Sequence, residues 1–450
     1  MLRLLARWVL PVTSAPIPHG AVLVGEDGRI AAVGPDAAVP RPEGADAQDL
    51  GEAALLPGLV NTHTHLELMA LRGLVRDRPF PHWITTIRRL KEGLGADAFH
   101  YAARWGVLEG FAAGITCIGD TGSTGEPARA MAELGARGVA YHEVFGPDPA
   151  HCDAAMTWLR TALAGLDRFA SDRVVIGVSP HAPYTVSEPL LRAVCDLARD
   201  DVRRVAMHVA ESQEERLFVE EGRGPFADHL RGRGIAVRTQ GVSPIAWALR
   251  GGLEGVEPLL IHCVHAAEAD LRAVARAHGA IAHCPLSNAA LDNGRADLGL
   301  MKSCGVKVGI GTDSVAAGDS LDLFAAARFA SIAFPMTPRE LLRLITAGAA
   351  DALGMSGAGR LEPGAWGDLC AVSLKGPGFA AFGDPEGAVA GGAEPTSVRA
   401  TWVAGRLVYA DGRWPGVDAQ HERSQVERAV AAAVRVRSTL AARGVHPLSS

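Results

Sequence analysis

The chain of 450 residues carries 44 Lys and Arg against 50 Asp and Glu, a formal net charge of -6, with 48% hydrophobic residues. That is enough apolar chain for a large core, and the mildly acidic balance offers no basic stripe of the kind a nucleic-acid partner requires. No run of about eighteen apolar residues argues for a membrane span, and the seven cysteines, none in a Cys-x-x-Cys pair, suit a reducing cytoplasm better than a disulfide framework.

The opening apolar stretch 1–10 is interrupted by Arg7 and followed by no small-residue cleavage site, so it is read as an edge strand and not a signal peptide. Segments 21–24 and 29–33 alternate around turn signals such as Glu26-Asp27-Gly28, and residues 1–56 read as a small β unit. From 57 to 357 strand-like runs alternate with helical stretches. The run ending at His65, with 115–120, 138–144, 174–181, 205–208, 259–262, 280–283 and 306–311, makes eight strands. Eight strands alternating with helices predict an α/β fold, a (β/α)₈ barrel of the TIM type, whose chemistry sits at the carboxyl ends of the strands. Short strands return at 364–372 and 398–409 and are expected to pair with the amino-terminal ones, so that 1–56 and 358–416 form a small β-sandwich domain. The Gly, Ala and Pro-rich stretch 376–395 reads as a surface loop with a helical turn. Residues 417–450 read as a carboxy-terminal helix, on the Pro-free segment 420–443.

The chemistry is concentrated where the barrel runs end. His63-Thr64-His65 closes the apolar run Leu55-Leu56-Pro57-Gly58-Leu59-Val60, and residues i and i+2 of a strand point to one side, so two imidazoles can grip one cation. His208-Val209-Ala210-Glu211, His262-Cys263-Val264-His265 and Gly311-Thr312-Asp313-Ser314 end other runs in the same way. Each piece alone has a plainer explanation: a chance strand pair, a hydrogen-bonded core histidine, or an Asp capping a turn. Their agreement in order and placement favours a metal site. His142, His265 and His283 are expected to be structural, and Cys117, Cys263 and Cys284 to be core residues.

Pro57-Gly58-Leu59-Val60-Asn61-Thr62-His63-Thr64-His65, the H-x-x-E at His208 and Glu211, His262 and the Thr312-Asp313 pair together resemble the amidohydrolase superfamily, in its mononuclear deaminase and chlorohydrolase branch. The likeness covers nearly the whole chain. Binuclear members carry a carboxylated lysine at the end of strand four, but the only lysines here are Lys91, Lys302, Lys307 and Lys375, and strand four ends Val178-Ser179-Pro180-His181, so one metal is expected. The resemblance implies His63, His65, His208 and Asp313 as ligands of one divalent transition metal, with zinc the default and iron the alternative. It implies Asp313 as acceptor of the water proton, Glu211 as general acid and base, and His262 as the residue that orients the attacking water.

Substrate choice is expected from Glu67, Arg72, Trp83, Glu92, His181, Ser287 and Asn288 at the barrel mouth. His63-Thr64-His65-Leu66-Glu67 and His283-Cys284-Pro285-Leu286-Ser287-Asn288 resemble aminodeoxyfutalosine deaminases, while Leu71-Arg72-Gly73 with Trp83 looks like S-adenosylhomocysteine and methylthioadenosine deaminases. Both imply hydrolytic deamination of a 6-aminopurine nucleoside, with Trp83 as an apolar wall and His181 as a hydrogen-bonding partner. A salt bridge with Arg72 or Arg88 is the plainer role for Glu67 and Glu92. Guanine deamination or triazine dechlorination is the alternative, and a barrel kept only for binding has no chemical need of the full set. The expected partner is a small nucleoside or heterocycle, with no nucleic acid and no membrane; a homo-oligomer is left open.

Overall fold

The computed structural model describes residues 1–76 and 79–442. Strands β1 (Leu2–Val9), β2 (Ile17–Val24), β3 (Ile30–Pro35), β4 (Asp46–Asp49) and β5 (Ala53–Pro57) come first. They are followed by β6 (Leu59–Thr64), β7 (Ile115–Gly122), β8 (Arg137–Val144), β9 (Val174–Pro180), β10 (Ala206–Val209), β11 (Leu259–His262), β12 (Ala280–His283) and β13 (Lys307–Ile310). The chain then returns through β14 (Leu369–Ser373), β15 (Val398–Val403) and β16 (Arg406–Ala410).

All eight expected strands of the central region are present. They form two four-stranded parallel sheets, β6-β7-β8-β9 and β10-β11-β12-β13. Single parallel bridges, Val178 to Val205 and Thr64 to Asp313, tie the two sheets to each other at both edges. Val60, Cys117, Val139, Tyr141, Ala206 and Ile261 share one buried apolar cluster, as two-residue alternation along inward-facing strands demands. The candidate donors His63, His208 and His262 stand at or next to the carboxyl ends of these strands.

The strands at the two chain ends pair as expected, in one eight-stranded sheet of order β16-β15-β14-β5-β1-β2-β3, with β4 beside β1. Strand β1 is not at an edge. It lies between β5 and β2, because Leu4, Ala6 and Val9 are fully or almost fully buried, while Arg7 reaches out to Glu52 at 2.5 Å. The apolar run 55–60 is divided at Gly58, with Pro57 ending β5 and Leu59 starting β6. A Cβ on Gly58 would meet Thr116 Oγ1 at 2.1 Å, so only glycine lets the chain pass between the two sheets there. The units are locked by Arg137, on β8, and Asp368, an ion pair of 2.6 Å with both side chains fully buried.

The stretch 376–395 is more ordered than its composition suggests. Helix Pro385–Gly392 buries Val389 and Ala390 against the core, and Glu386 pairs with Arg339 at 2.8 Å. Helix α1 (Phe80–Glu92) crosses the mouth, and α2 (Ala96–Ala112) packs on the carboxy-terminal helix Ala419–Ala442. Arg104 of α2 holds Glu422 there at 2.5 Å. Residues 443–450 of the expected terminal helix lie outside the described residues. No helix among the described residues is long and apolar enough to cross a membrane.

Candidate metal centre and active site

His63 and His65 leave the end of β6 with their rings 4.8 Å apart, and His208, on β10, brings its ring to 5.0 Å from His63. The bridge between Thr64 and Asp313, reinforced by the Asp313 N–H to the His63 carbonyl at 2.9 Å, delivers the fourth group. Asp313 Oδ1 stands 3.3 Å from His63 Nε2 and 3.5 Å from His65 Nε2. His262, on β11, completes the ring of side chains, 5.6 Å from His208. Two of these groups sit on backbone that L-residues rarely adopt, His262 at φ 72° and Asp313 at φ 58°, a cost that the strand ends bear to aim the side chains inward.

The arrangement fits a divalent cation. Ligand atoms of His63, His65 and His208 lie within 4.8 Å of one another, as do those of His63, His262 and Asp313, and His63 Nε2 is buried with no hydrogen-bond partner. Burial, with the neighbouring imidazoles, holds His65 down to about 3 and His208 well below the usual histidine range, so both rings are neutral and offer lone pairs. Burial alone would raise the Asp313 carboxyl, but His63, His262 and His65 hold it well below the carboxylate range. A buried carboxylate ringed by imidazole nitrogens in a dry interior calls for a cation, and three imidazoles with one carboxylate are donors suited to zinc-like metals.

A second layer fixes these donors. His208 Nδ1–H donates to the His181 carbonyl at 3.1 Å, and His262 Nδ1–H donates to Asn288 Oδ1 at 2.9 Å, assignments that leave each Nε2 facing the centre. The Ser287 hydroxyl donates to Asp313 Oδ2, and the Ser314 N–H to Asp313 Oδ1 at 2.6 Å. Ser287 and Asn288, expected as substrate contacts, are thus engaged by the protein's own acid and imidazole.

Glu211 follows His208 by three residues and lies 3.6 Å from His262 Nε2. Burial, then the Asp313 and Glu215 carboxylates, push its pKa well above the carboxylate range, the direction that suits a group which gives and takes back a proton. Asn293 Nδ2 donates to Glu211 Oε1 at 3.0 Å, and Glu215 receives the Ala210 and Glu211 N–H groups at 2.7 and 2.9 Å. Asn293 and Glu215 are absent from the sequence expectation. The spacing Ser212-x-x-Glu215, a helix-start signature, is the one signal that could have marked Glu215; nothing local marks Asn293.

Glu67 is fully buried and takes the Lys91 ammonium at 2.5 Å together with the Thr124 hydroxyl at 2.5 Å. Its partner is Lys91 and not Arg72, which pairs with Glu109 at 2.6 Å. Glu92 is exposed and stands 3.5 Å from Arg88 one turn earlier. Trp83 packs in the mouth cluster with Phe80, Tyr184 and Phe226, and His181 lies 4.9 Å from His208, ring to ring. His142 faces Trp158 away from the metal donors, at 5.1 Å.

Comparison with known proteins shows the family. The amidohydrolase family profile matches residues 54–408. A 5-methylthioadenosine/S-adenosylhomocysteine deaminase of Symbiobacterium thermophilum is 31% identical over 442 residues, covering 95% of this chain and 98% of the relative. The protein of the same description from Nitratidesulfovibrio vulgaris is 30% identical over 426 residues, 92% of each chain. The crystal structure of an adenosine deaminase of Xanthomonas campestris with bound zinc superposes with a TM-score of 0.84 at 24% identity, over 97% of this chain and 98% of that one. The chain belongs to the amidohydrolase family.

Proposed function

We propose that this protein is a metal-dependent hydrolytic deaminase of a 6-aminopurine nucleoside, of the S-adenosylhomocysteine, methylthioadenosine or aminodeoxyfutalosine type. The two sheets are read as one closed (β/α)₈ barrel over 57–357, beside a β-sandwich domain of 1–56 and 358–416. The observation that carries the reading is the buried Glu211 carboxyl 3.6 Å from His262 Nε2, within a set of donors that fits a metal. Two relatives of matching length are described as nucleoside deaminases.

His63, His65, His208 and Asp313 would hold the metal, with zinc first in line. When bound, it supplies Lewis acidity and brings the pKa of a water towards about 7. His262 Nε2, its other nitrogen committed to Asn288, accepts from the attacking water and orients it towards the amino-bearing ring carbon. Asp313 takes the proton that the water loses. Glu211 gives its proton to the ring nitrogen as the tetrahedral centre forms, then takes the proton of that centre's new hydroxyl and passes it to the leaving amine, so that ammonia and the oxo-purine result and the proton held by Asp313 restores Glu211. These groups act on charge that develops during attack, where stabilisation raises the rate.

The test is ammonia release by metal-loaded protein from adenosine, S-adenosylhomocysteine, methylthioadenosine, aminodeoxyfutalosine and guanine. Activity on an adenine nucleoside is the expected result. Silence on every nucleoside with metal bound would overturn the substrate class and leave the metal centre to another heterocycle.

A further inference from the structure

Next to Glu211 the protein leaves more room than the loss of ammonia requires. Leu291, Asp292 and Asn293 follow the helix Pro285–Ala290, and the chain turns there on the positive φ of Asp292, 60°, and of Gly294, 105°. Within the turn the Asn293 N–H donates to the Asn288 carbonyl at 2.9 Å, and the Asn293 side chain gives Nδ2–H to Glu211 Oε1 at 3.0 Å. Asn293 also lines a cleft of about 360 Å³, together with Leu291, Asp292, Glu214, Pro79 and Phe80. One side chain therefore touches both the proton-transferring carboxyl and the cleft.

The lining is of two kinds. Phe80 and Leu291 are buried members of the apolar cluster at the mouth, whereas Asp292 is exposed and Glu214 half-buried on the first turn of the helix Gln213–Glu221. An apolar wall suits a hydrocarbon group, and carboxylates at an opening suit an amine that departs as a cation. Ammonia is close in size to water, whose share of the liquid is about 30 Å³, and an apolar cavity of about 150 Å³ already admits benzene. The cleft thus has the volume for a methyl or a benzyl group. Purine geometry decides which part of the substrate meets it. N1 and the 6-amino group lie at one end of the bicycle, and N9, which carries the sugar, at the other. Because Glu211 serves N1 and the leaving amine, a substituent on that amine points to the Glu211 side and the sugar points away from it.

We propose that this cleft receives a substituent on the 6-amino nitrogen, so that the enzyme also hydrolyses N6-alkyladenine nucleosides and releases the alkylamine. This rests on the nucleoside reading above. The water oxygen bonds to C6, and the C6–N bond breaks with its electron pair leaving on nitrogen. Of the two water protons one is balanced at N1 and the other at the departing nitrogen, so the products are the same oxo-purine nucleoside and a primary amine in place of ammonia.

The experiment gives the metal-loaded enzyme the adenine nucleoside it converts best and the N6-methyl and N6-benzyl forms of that nucleoside. Chromatography reads the oxo-purine, and mass spectrometry the freed amine. Methylamine is expected with kcat/KM within about tenfold of the parent and benzylamine within about a hundredfold, where a site closed around the amino group would forfeit far more through steric clash. Leu291→Phe narrows the cleft and should lower the N6-benzyl substrate at least about tenfold more than the parent. Glu214→Trp narrows it from a separate helix and should do the same, which keeps the test open if Leu291→Phe does not fold. Ammonia from the parent with no alkylamine from either derivative overturns the role of the cleft and leaves the deaminase reading standing, as do equal losses on all three substrates in the folded variants. An enzyme that converts no adenine nucleoside overturns the nucleoside reading and this proposal with it.

Discussion

Asn288 Oδ1 accepts the Nδ1 proton of His262 at 2.9 Å, and so decides which nitrogen of that imidazole faces Glu211 and the metal donors. Neutral imidazole has one proton to place, and burial keeps His262 neutral, down to about 4. Without the amide oxygen, either tautomer and a rotated ring become available. Asn288→Ala is therefore expected to lower kcat about ten- to a hundredfold, the usual cost of losing such a partner. Metal content should stay at the wild-type level, because His262 is not among the four groups assigned to the metal. A variant with wild-type kcat would show that His262 needs no such fixing.

Glu211→Gln keeps the volume and the Asn293 contact but cannot shuttle a proton. Turnover should fall by about two to four orders of magnitude, with metal stoichiometry unchanged. Near-normal turnover would remove Glu211 from the proton-transfer role.

Asp313→Ala should do what Glu211→Gln does not, lowering metal retention together with rate. Asp313 Oδ1 lies within 3.5 Å of two imidazoles, and its removal takes the only carboxylate from the donor set. Metal analysis after dialysis reads the difference. Full occupancy would mean that the fourth ligand is another group.

The eight parallel strands and the polar side chains gathered at their ends were legible because each strand is a continuous buried run that stops at a polar group, a pattern that needs no tertiary knowledge. The placement of β1 was not. An apolar strand broken by Arg7 has the composition of an edge, and only its pairing with β5, close in space, and β2 makes it central. In the site, the contacts of Ser287 with Asp313 and of Asn288 with His262 were not legible, for a similar reason. Both stand on the helix after β12, and only the return of β11 and β13 beside it brings His262 and Asp313 within their reach. Glu67 met Lys91, 24 residues on, in place of the nearer Arg72, because α1 folds back over the mouth.

The Glu67 and Lys91 pair should show itself in stability at low pH. Burial alone would raise the Glu67 carboxyl, but the Lys91 ammonium and hydrogen bonds from Lys91, Thr124 and Ser123 outweigh it and hold the group down to about 2. The unfolded chain binds the proton with a pKa of about 4.3. The stability this pair adds is therefore complete above about pH 5, declines as the pH falls below the unfolded value, and is gone below about pH 2. Between those limits Tm should fall less steeply in Glu67→Gln than in the wild type. At neutral pH, Lys91→Met leaves a buried carboxylate without its counter-charge and should cost about 3–5 kcal/mol, most of it recovered in the double variant with Glu67→Gln. Identical Tm profiles in wild type and Glu67→Gln would show that the pair contributes nothing net.

Gly311 sets how closely β13 can run beside β6, and hence how closely Asp313 can stand to His63. A Cβ at this position would lie 2.9 Å from the backbone nitrogen, the carbonyl oxygen and the Cβ of His63, atoms of a strand that cannot swing aside. Gly311→Ala must therefore push the two strands apart at the point where the metal donors converge. The expected cost is about 1–3 kcal/mol of stability, as for overpacking elsewhere, together with a loss of metal affinity of about tenfold or more in chelator competition. Gly110→Ala is the control. It lies within α2, where an added Cβ would meet only Ile115 Cβ at 3.8 Å, an ordinary contact, so the helical preference for alanine should leave the protein as stable or slightly more so. If Gly311→Ala retained both Tm and metal affinity, the close approach of β6 and β13 would not be what brings Asp313 to the histidines.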